Sequence, residues 1–485
     1  MTDDPPDAVP GKTEGPSRIV TNSTWLLSSR LVVASIQWLT TLLIIRNLSV
    51  DDFGTFSLIF GILGMLSIIT DLGLGRVAVK LLLDKGGDPA RSAGAYITLR
   101  SVFGVLGYLV ALGVVAVGGY GPVTVAATAI GALSVILDTV GDAHTTIFQV
   151  RERMRMPSVS AVLAASTQML AVLALVQRDA SLIPFMIPAV LASAVDCSIR
   201  VIGAHRLQNI RYAVDPRLWW HLLKEAVPIS VGNAMATLYY RVDIVMLSQL
   251  ATLTAVATYS VAYKFVDLVG VIPAVFSTAA LPVLVRHWPA DREGLQRVVL
   301  QICRLLAALA GLIAVGFLVL ADEVVPLLYG QQYSDAVAPA RIVVLSQCLS
   351  FAAEAALMVL IAAGRHKTFP VVAAVGLAFN IAVNLVVIPR YSYMGAAWAT
   401  LATDVLMTIA LWNEVRRNRL FPLIRLLALW RVAGCTLLTG LVGWAAVAWL
   451  WWPLVVVLMT VVFAGACLAT SALGSRSPRE ALHIG

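Results

Sequence analysis

The residues of this chain that could do chemistry are charged side chains set inside long apolar runs. The cations are Arg30, Arg241 and Lys264. The acids in comparable positions are Asp138, Asp142, Asp243, Asp267, Glu354 and Asp404. A charge at the middle of a bilayer costs about 2.5–3.5 kcal/mol on insertion scales, so charges retained there should line a cavity or pair with each other. Cations in a cavity suit an anionic substrate, whereas the acids are candidates for ion coupling.

The spacing of these residues leaves functional and structural interpretations open. Asp138 and Asp142 are four residues apart, which places both carboxylates on one face of a helix. Two neighbouring carboxylates resist being charged together, so the pair is a candidate proton site, but hydrogen bonding between helices explains it equally well. Lys264 and Asp267 also share a helical face, and a structural ion pair is an equally good interpretation of them.

The remaining charges are less clearly paired. Arg241 and Asp243 are two residues apart and cannot face the same way on a helix, so at least one must look elsewhere. Arg30 has no partner close in its own run, which favours a role in a cavity. Asp196 and Arg200 are four apart near the end of a run, where an ordinary structural pair is expected.

Composition sets the class of protein in which these charges act. The 485 residues are 59% hydrophobic and 13% charged, with a mean hydropathy of +0.86, which indicates an all-α polytopic membrane protein within a lipid bilayer. The net charge of +8 does not indicate nucleic-acid binding, because the positive residues lie in short loops between apolar runs. The five cysteines fall singly in or near these runs, so we expect buried thiols and neither a metal site nor a cofactor.

The apolar runs predict about fourteen transmembrane helices, since each has roughly the 20 residues needed to cross the hydrocarbon. Two echoes in the same order indicate an internal duplication: 54–57 recurs at 257–260, and 157–162 recurs at 370–375. Because each copy would hold six spans, the copies should form two six-helix lobes related by an axis along the membrane normal. The alignment also puts Glu354 within one residue of the position equivalent to Asp142.

The predicted organisation has six parts. They are a disordered cytoplasmic tail (1–20), an N-lobe (21–206), a cytoplasmic linker with an interfacial helix (207–224), a C-lobe (225–415), two further C-terminal spans (416–474) and a second cytoplasmic tail (475–485). Loops on one side carry most of the Lys and Arg, whereas the opposite loops hold only Arg46, Arg178 and Arg390. Positive loops stay inside, so both termini are predicted to be cytoplasmic.

Several degenerate motifs, taken in order, resemble the polysaccharide-biosynthesis flippases of the multidrug/oligosaccharidyl-lipid/polysaccharide exporter superfamily. These motifs are Arg46–Leu48 with Phe53–Ser57, Asp71–Leu74, Tyr240–Met246, Leu328–Tyr333 and Ala363–Arg365. The resemblance covers spans one to twelve. It implies a two-lobed alternating-access carrier of polyprenyl-pyrophosphate-linked oligosaccharide in the bacterial plasma membrane. A monomer is expected, with polysaccharide polymerases as candidate partners.

Three function classes compete on the residues themselves. A flippase for anionic lipid-linked sugars would use Arg30, Arg241 and Lys264 as cavity cations. A cation-coupled multidrug antiporter would use carboxylates, which Asp138 and Asp142 among others supply. A membrane glycosyltransferase, ligase or polymerase would need catalytic clusters in sizeable outer loops, and the outer loops here are short. We therefore rank flippase first, antiporter second and enzyme last.

Overall fold

The computed structural model describes residues 15–83, 88–178, 180–365 and 367–474. Helix α1 begins at Gly15, so the part of the predicted N-terminal tail that is described is helical. The predicted tail residues 1–14 and 475–485 lie outside the described residues. The described chain divides into two compact units, Met1–Ala234 and Met235–Gly485, which are treated separately below.

Unit 1 consists of helices joined by short turns. Its helices are α1 (Gly15–Asn47), α2 (Val50–Asp71), α3 (Leu74–Leu83), α4 (Pro89–Val117), α5 (Pro122–Gly131), α6 (Leu133–Val150), α7 (Arg155–Val176) and α8 (Ile187–Leu207). Helix α9 (Pro216–Leu250) begins in this unit and ends in unit 2. The main core joins α3, α4, α6, α8 and α9 through buried side chains such as Tyr96, Phe148 and Leu222.

Unit 2 is also helical throughout most of its described residues. Its helices are α10 (Leu253–Val269), α11 (Val271–His287), α12 (Arg292–Tyr329), α13 (Val337–Ala362), α14 (Thr368–Arg417), α15 (Trp430–Val447) and α16 (Trp452–Ala469). A core around Phe351, Leu360 and Trp412 joins α11 to α14. The last two helices pack on α12 through Val432, Phe463 and their neighbours.

The described residues contain twelve helical segments long and apolar enough to cross a membrane. One of them, α14, is fifty residues long and contains non-helical backbone at Ser392 (φ 51°, ψ −135°), where we predicted a turn between two spans. Helix α9 is a further 35-residue helix outside those twelve. The all-α polytopic fold class is therefore confirmed. All five cysteines are free and buried, as expected.

Local sequence signals explain where key helices begin. Ser49 caps α2, because its Oγ accepts a hydrogen bond from the Asp52 N–H at 3.2 Å. Asp215 caps α9 in the same way, accepting from the Leu218 N–H at 3.1 Å, with Pro216 at the first helical position. Asp71, at the end of α2, forms an ion pair with Arg100 of α4.

Candidate functional site

The cavity most relevant to function within unit 2 has a volume of about 550 Å³, which is in the range of small-molecule sites. Helices α9, α10, α11, α13 and α14 supply its walls. Its lining combines aromatic rings with charged and polar groups, including Tyr239, Tyr240, Arg241, Tyr263, Asp267, Gln347, Glu354 and Asp404. Of the charged residues singled out from sequence, four line this wall directly: Arg241, Asp267, Glu354 and Asp404.

Two of the cavity carboxylates are held by neutral hydroxyl groups. Asp404 accepts hydrogen bonds from Tyr239 (2.6 Å to Oδ1) and Ser346 (2.6 Å to Oδ2). Glu354 accepts a short hydrogen bond from Ser277. Neither carboxylate forms an ion pair among the described residues.

Asp243 is almost completely buried, with 2% of its surface exposed, and it does not join Arg241 in the cavity lining. Its Oδ2 accepts from Tyr259 (2.7 Å) and Thr400 (3.0 Å), and its Oδ1 accepts from the Asn384 amide (2.8 Å). The Asn384 Oδ1 is itself buried and has no hydrogen-bond partner among the described residues. A buried carboxylate surrounded by neutral donors, next to a free amide oxygen, has the composition of a site for a proton or a small cation.

The three sequence-predicted cations have different surroundings. Lys264 lies 3.7 Å from Asp267 (Nζ to Oδ2), so the shared helical face does hold an ion pair. Arg241 is half-buried at the cavity wall and forms no ion pair within the described parts of the chain. Arg30 is exposed on α1 in unit 1. Of the three, only Arg241 is placed in the described cavity of unit 2.

Two acids of unit 1 share one arginine. Arg200 binds Asp142 (2.5 Å) and Asp196 (2.7 Å), and its guanidinium also reaches the Thr145 hydroxyl at 3.2 Å. The expected Asp196–Arg200 pair is therefore present, and it is shared with Asp142. Asp138, one turn earlier on α6, forms no ion pair among the described residues, and the Ser193 hydroxyl lies beside it.

Sequence reasoning missed several residues of these sites. Arg100 is 3% exposed in α4 and binds both the Thr70 carbonyl and the Asp71 carboxylate (3.0 Å). The sequence did contain a signal for Arg100, because this charged residue lies inside an apolar run. The neutral partners of Asp243, which are Tyr259, Asn384 and Thr400, could not be identified from sequence, because polar uncharged residues are common in membrane helices. The described residues contain no group of three or more His, Cys, Asp or Glu that could hold a metal ion.

The fold resembles solved structures of one transporter superfamily. "Lipid II flippase MurJ, inward closed conformation" superposes with a TM-score of 0.74 at 14% identity, covering 94% of this chain and 99% of that one. An inward-facing multidrug resistance MATE family transporter of the MOP superfamily gives 0.64 at 15% identity, covering 80% and 98%. A mutant of the Vibrio cholerae MATE transporter VcmN gives 0.55 at 15%, covering 83% and 98%. These similarities define the fold as that of the MOP-superfamily proteins, and the twelve candidate spans make the chain a multi-pass membrane protein.

The family follows from sequence. The family model described as "Polysaccharide biosynthesis protein" matches residues 19–288, more than half of the chain, and the chain therefore belongs to that family. The MatE model also matches, over residues 228–386. A comparison with curated proteins gives no sequence match. The similar solved proteins named above are flippases and transporters.

Proposed function

We propose that this protein is a flippase that moves polyprenyl-pyrophosphate-linked oligosaccharide from the cytoplasmic to the outer leaflet by alternating access, for surface polysaccharide biosynthesis. The observation that carries the proposal is the match of residues 19–288 to the polysaccharide-biosynthesis family, and the lining of the unit 2 cavity is compatible with it. Arg241 stands there among Tyr239, Tyr240 and Tyr263, with Gln347 nearby. Aromatic faces pack against the C–H faces of sugar rings, amide and carboxylate groups bind hydroxyls, and a guanidinium binds phosphate.

In this proposal Arg30, Arg241 and Lys264 bind the pyrophosphate at different stages of the transport cycle. Arginine suits this role because its planar fork binds phosphate bidentately, whereas lysine acts as a point charge. Lys264 must share its charge with Asp267, so its contribution is the smallest of the three. Moving about two negative charges outward across a negative-inside membrane releases roughly 4–5 kcal/mol per 100 mV, so the membrane potential alone can drive export.

The buried acids are proposed as the ion-coupling groups. Asp243 is the strongest candidate, because its surroundings are neutral and the adjacent Asn384 Oδ1 is unsatisfied within the described residues. Asp404 and Glu354 extend the same role to the cavity wall. Asp267 and Asp142 are committed to ion pairs, and Asp138 is left as the coupling candidate of unit 1.

A cation-coupled multidrug antiporter is the second candidate, and a specific observation favours it. Three carboxylates but only one arginine line the unit 2 cavity among the described residues, which gives the wall a negative balance that would suit a cationic drug. The match of the MatE family model over residues 228–386 includes most of the residues that line this cavity, although not Asp404. The tyrosines and Gln347 suit both substrates, so the lining alone does not separate them.

Gene deletion separates the two candidates. If the protein is a flippase, we expect deletion to make a lipid-linked oligosaccharide accumulate on the cytoplasmic leaflet and to abolish surface polysaccharide. The measurement is extraction and leaflet-specific labelling of the lipid intermediates, with drug susceptibility in parallel. Unchanged lipid intermediates together with new drug sensitivity would instead establish the antiporter.

The same proposal covers location and partners. We expect the bacterial inner membrane, both termini in the cytoplasm, and a monomer that works alongside polysaccharide polymerases. The charge asymmetry of the loops supports the orientation.

A further inference from the structure

Two adjoining cavities lie at one end of unit 1, where α2 and α6 end and where α3 and α4 begin. One is polar, with a volume of about 540 Å³, and the other is a mainly apolar groove of about 590 Å³. Arg76 and Val79 of α3 line both. Loop charge predicts this end of unit 1 to be cytoplasmic.

The polar cavity is built to bind an anionic group. Arg100 lines it while only 3% exposed, and the Nε of this arginine is buried without a hydrogen-bond partner in the described part of the chain. Thr146 donates to the Tyr96 hydroxyl (3.3 Å), and both residues line the wall together with Gln149. The first turn of α3 also borders the cavity, and helix N-termini present free N–H groups to anions.

Both acids of the polar cavity have a cationic partner, although Arg200 binds Asp196 as well as Asp142. Asp71 is paired with Arg100 (3.0 Å) and Asp142 with Arg200 (2.5 Å). Arg76 is exposed and has no ion pair among the described residues. An anion that enters the cavity would therefore meet Arg76 as the uncompensated cation.

The apolar groove supplies the second half of an amphiphile site. Val77, Leu81 and Leu83 line it, and Leu83 is 60% exposed. Its charged rim is largely self-neutralised, since Glu225 pairs with Lys80 (3.7 Å) and lies near His221 (3.4 Å). The groove thus continues from Arg76, which has no ion pair in the described part of the chain, along an apolar wall of a size suited to a hydrocarbon chain.

We infer that these two cavities form an entry site for the pyrophosphate-bearing end of the lipid-linked substrate. The pyrophosphate binds at Arg76 and the polar cavity, and the first isoprenoid groups lie along Val77, Leu81 and Leu83. This inference rests on the proposed flippase function, but it assigns a separate site in unit 1, distinct from Arg30 and from the unit 2 cavity. A diphosphate has two phosphate groups, so one can bind the Arg76 guanidinium while the other meets the backbone N–H groups at the start of α3.

The test uses the full-length protein in phosphatidylcholine nanodiscs with farnesyl pyrophosphate as the probe. Arg76→Gln should weaken binding roughly tenfold or more, since it removes a charge-assisted hydrogen bond to the pyrophosphate. The matched control is Arg206→Gln, which removes an exposed arginine of unit 1 that lines neither cavity and should leave binding unchanged. Farnesol and inorganic pyrophosphate, which are the tail and the head alone, should each bind more weakly than the complete probe.

Three outcomes would overturn the entry site. They are equal binding by Arg76→Gln and wild type, equal loss in Arg206→Gln, and displacement of the probe by phosphatidylglycerol at comparable concentration, which would indicate a bulk-lipid site. The deletion experiment judges the flippase function independently. Accumulated lipid intermediates with an Arg76→Gln variant that binds and complements fully would reject the entry site and keep the function. Arg76-dependent binding without accumulation on deletion would reject the flippase function and, with it, the role of this site in substrate entry.

Discussion

Arg241 and Asp243 lie two residues apart in α9 and have opposite surroundings. Arg241 lines the unit 2 cavity, whereas Asp243 is buried among Tyr259, Thr400 and Asn384. The helical repeat already required different directions for the two side chains. It could not say which of them would reach the cavity, because that depends on the helices packed around α9.

At the scale of single residues, we predict the effect of replacing Arg30 and Arg241. Arg30→Ala and Arg241→Ala should each lower surface polysaccharide at least tenfold without lowering the protein level, because each loses a phosphate contact of about 1.5–3 kcal/mol. Arg30→Lys should restore only part of the export, since lysine lacks the bidentate fork. The measurement is surface polysaccharide in a deletion strain complemented at native expression.

Arg390→Ala is the control, because Arg390 is an exposed arginine outside the described cavities. Normal export by both Arg30→Ala and Arg241→Ala at native expression would show that the cationic pathway is wrong and that these residues are structural.

At the scale of elements, the segment before α9 is fastened along the start of α4. The Arg211 N–H donates to the Ala90 carbonyl (3.1 Å), Arg91 pairs with Asp215 (2.9 Å), and the Trp219 Nε1–H donates to the Ala95 carbonyl (2.9 Å). The predicted cytoplasmic linker is thus held against unit 1 by backbone and side-chain contacts. Its sequence indicated a linker with an interfacial helix but contained no sign of this attachment.

Gly94 makes the attachment possible, and two glycines of α4 provide a matched test. A Cβ on Gly94 would lie 1.9 Å from the Arg211 carbonyl oxygen, whereas a Cβ on Gly113 would meet nothing within 4 Å. Gly94→Ala should therefore cost about 1–3 kcal/mol through overpacking and lower the thermal unfolding temperature in detergent. Gly113→Ala should leave that temperature unchanged or raise it, because alanine favours a helix by about 1 kcal/mol.

An equal unfolding temperature for wild type and Gly94→Ala would show that the linker separates from α4 without cost. A loss of stability in Gly113→Ala as large as in Gly94→Ala would show that the effect belongs to α4 in general.

At the scale of the whole molecule, the direction of the chain through the bilayer can be tested by labelling. Single cysteines at Gly119, Thr252 or Trp452 should react with an impermeant thiol reagent added outside, in a background without native cysteines. Their turns lie on the side that is poor in Lys and Arg. Cysteines placed on the opposite, positively charged side at Arg153, Gln208 and Asn418 should not react.

Labelling from outside at Arg153 would overturn the predicted orientation. Labelling from outside at Asn418 alone would show that one of the last predicted spans does not cross the membrane. Cells permeabilised before labelling are the control, since all six positions should then react if each side chain is accessible.

The sequence by itself determined the class of fold, the apolar segments and the charges held within them. Those features depend on hydrophobic length, on the cost of a charge in hydrocarbon and on local caps such as Ser49 and Asp215, all of which are written in short stretches of chain. The break at Ser392 was also predictable, because two long apolar runs meet there.

Only the tertiary structure decided which charges meet. Arg200 joins Asp142 across α6 and α8, Asp404 is held by Tyr239 and Ser346 from two other helices, and Arg100 reaches Asp71 across α2 and α4. These contacts depend on the rotation and depth of one helix against another, which arise from packing between segments distant in sequence. The periodicity of a single helix states which residues share a face, but the neighbouring helices decide what that face meets.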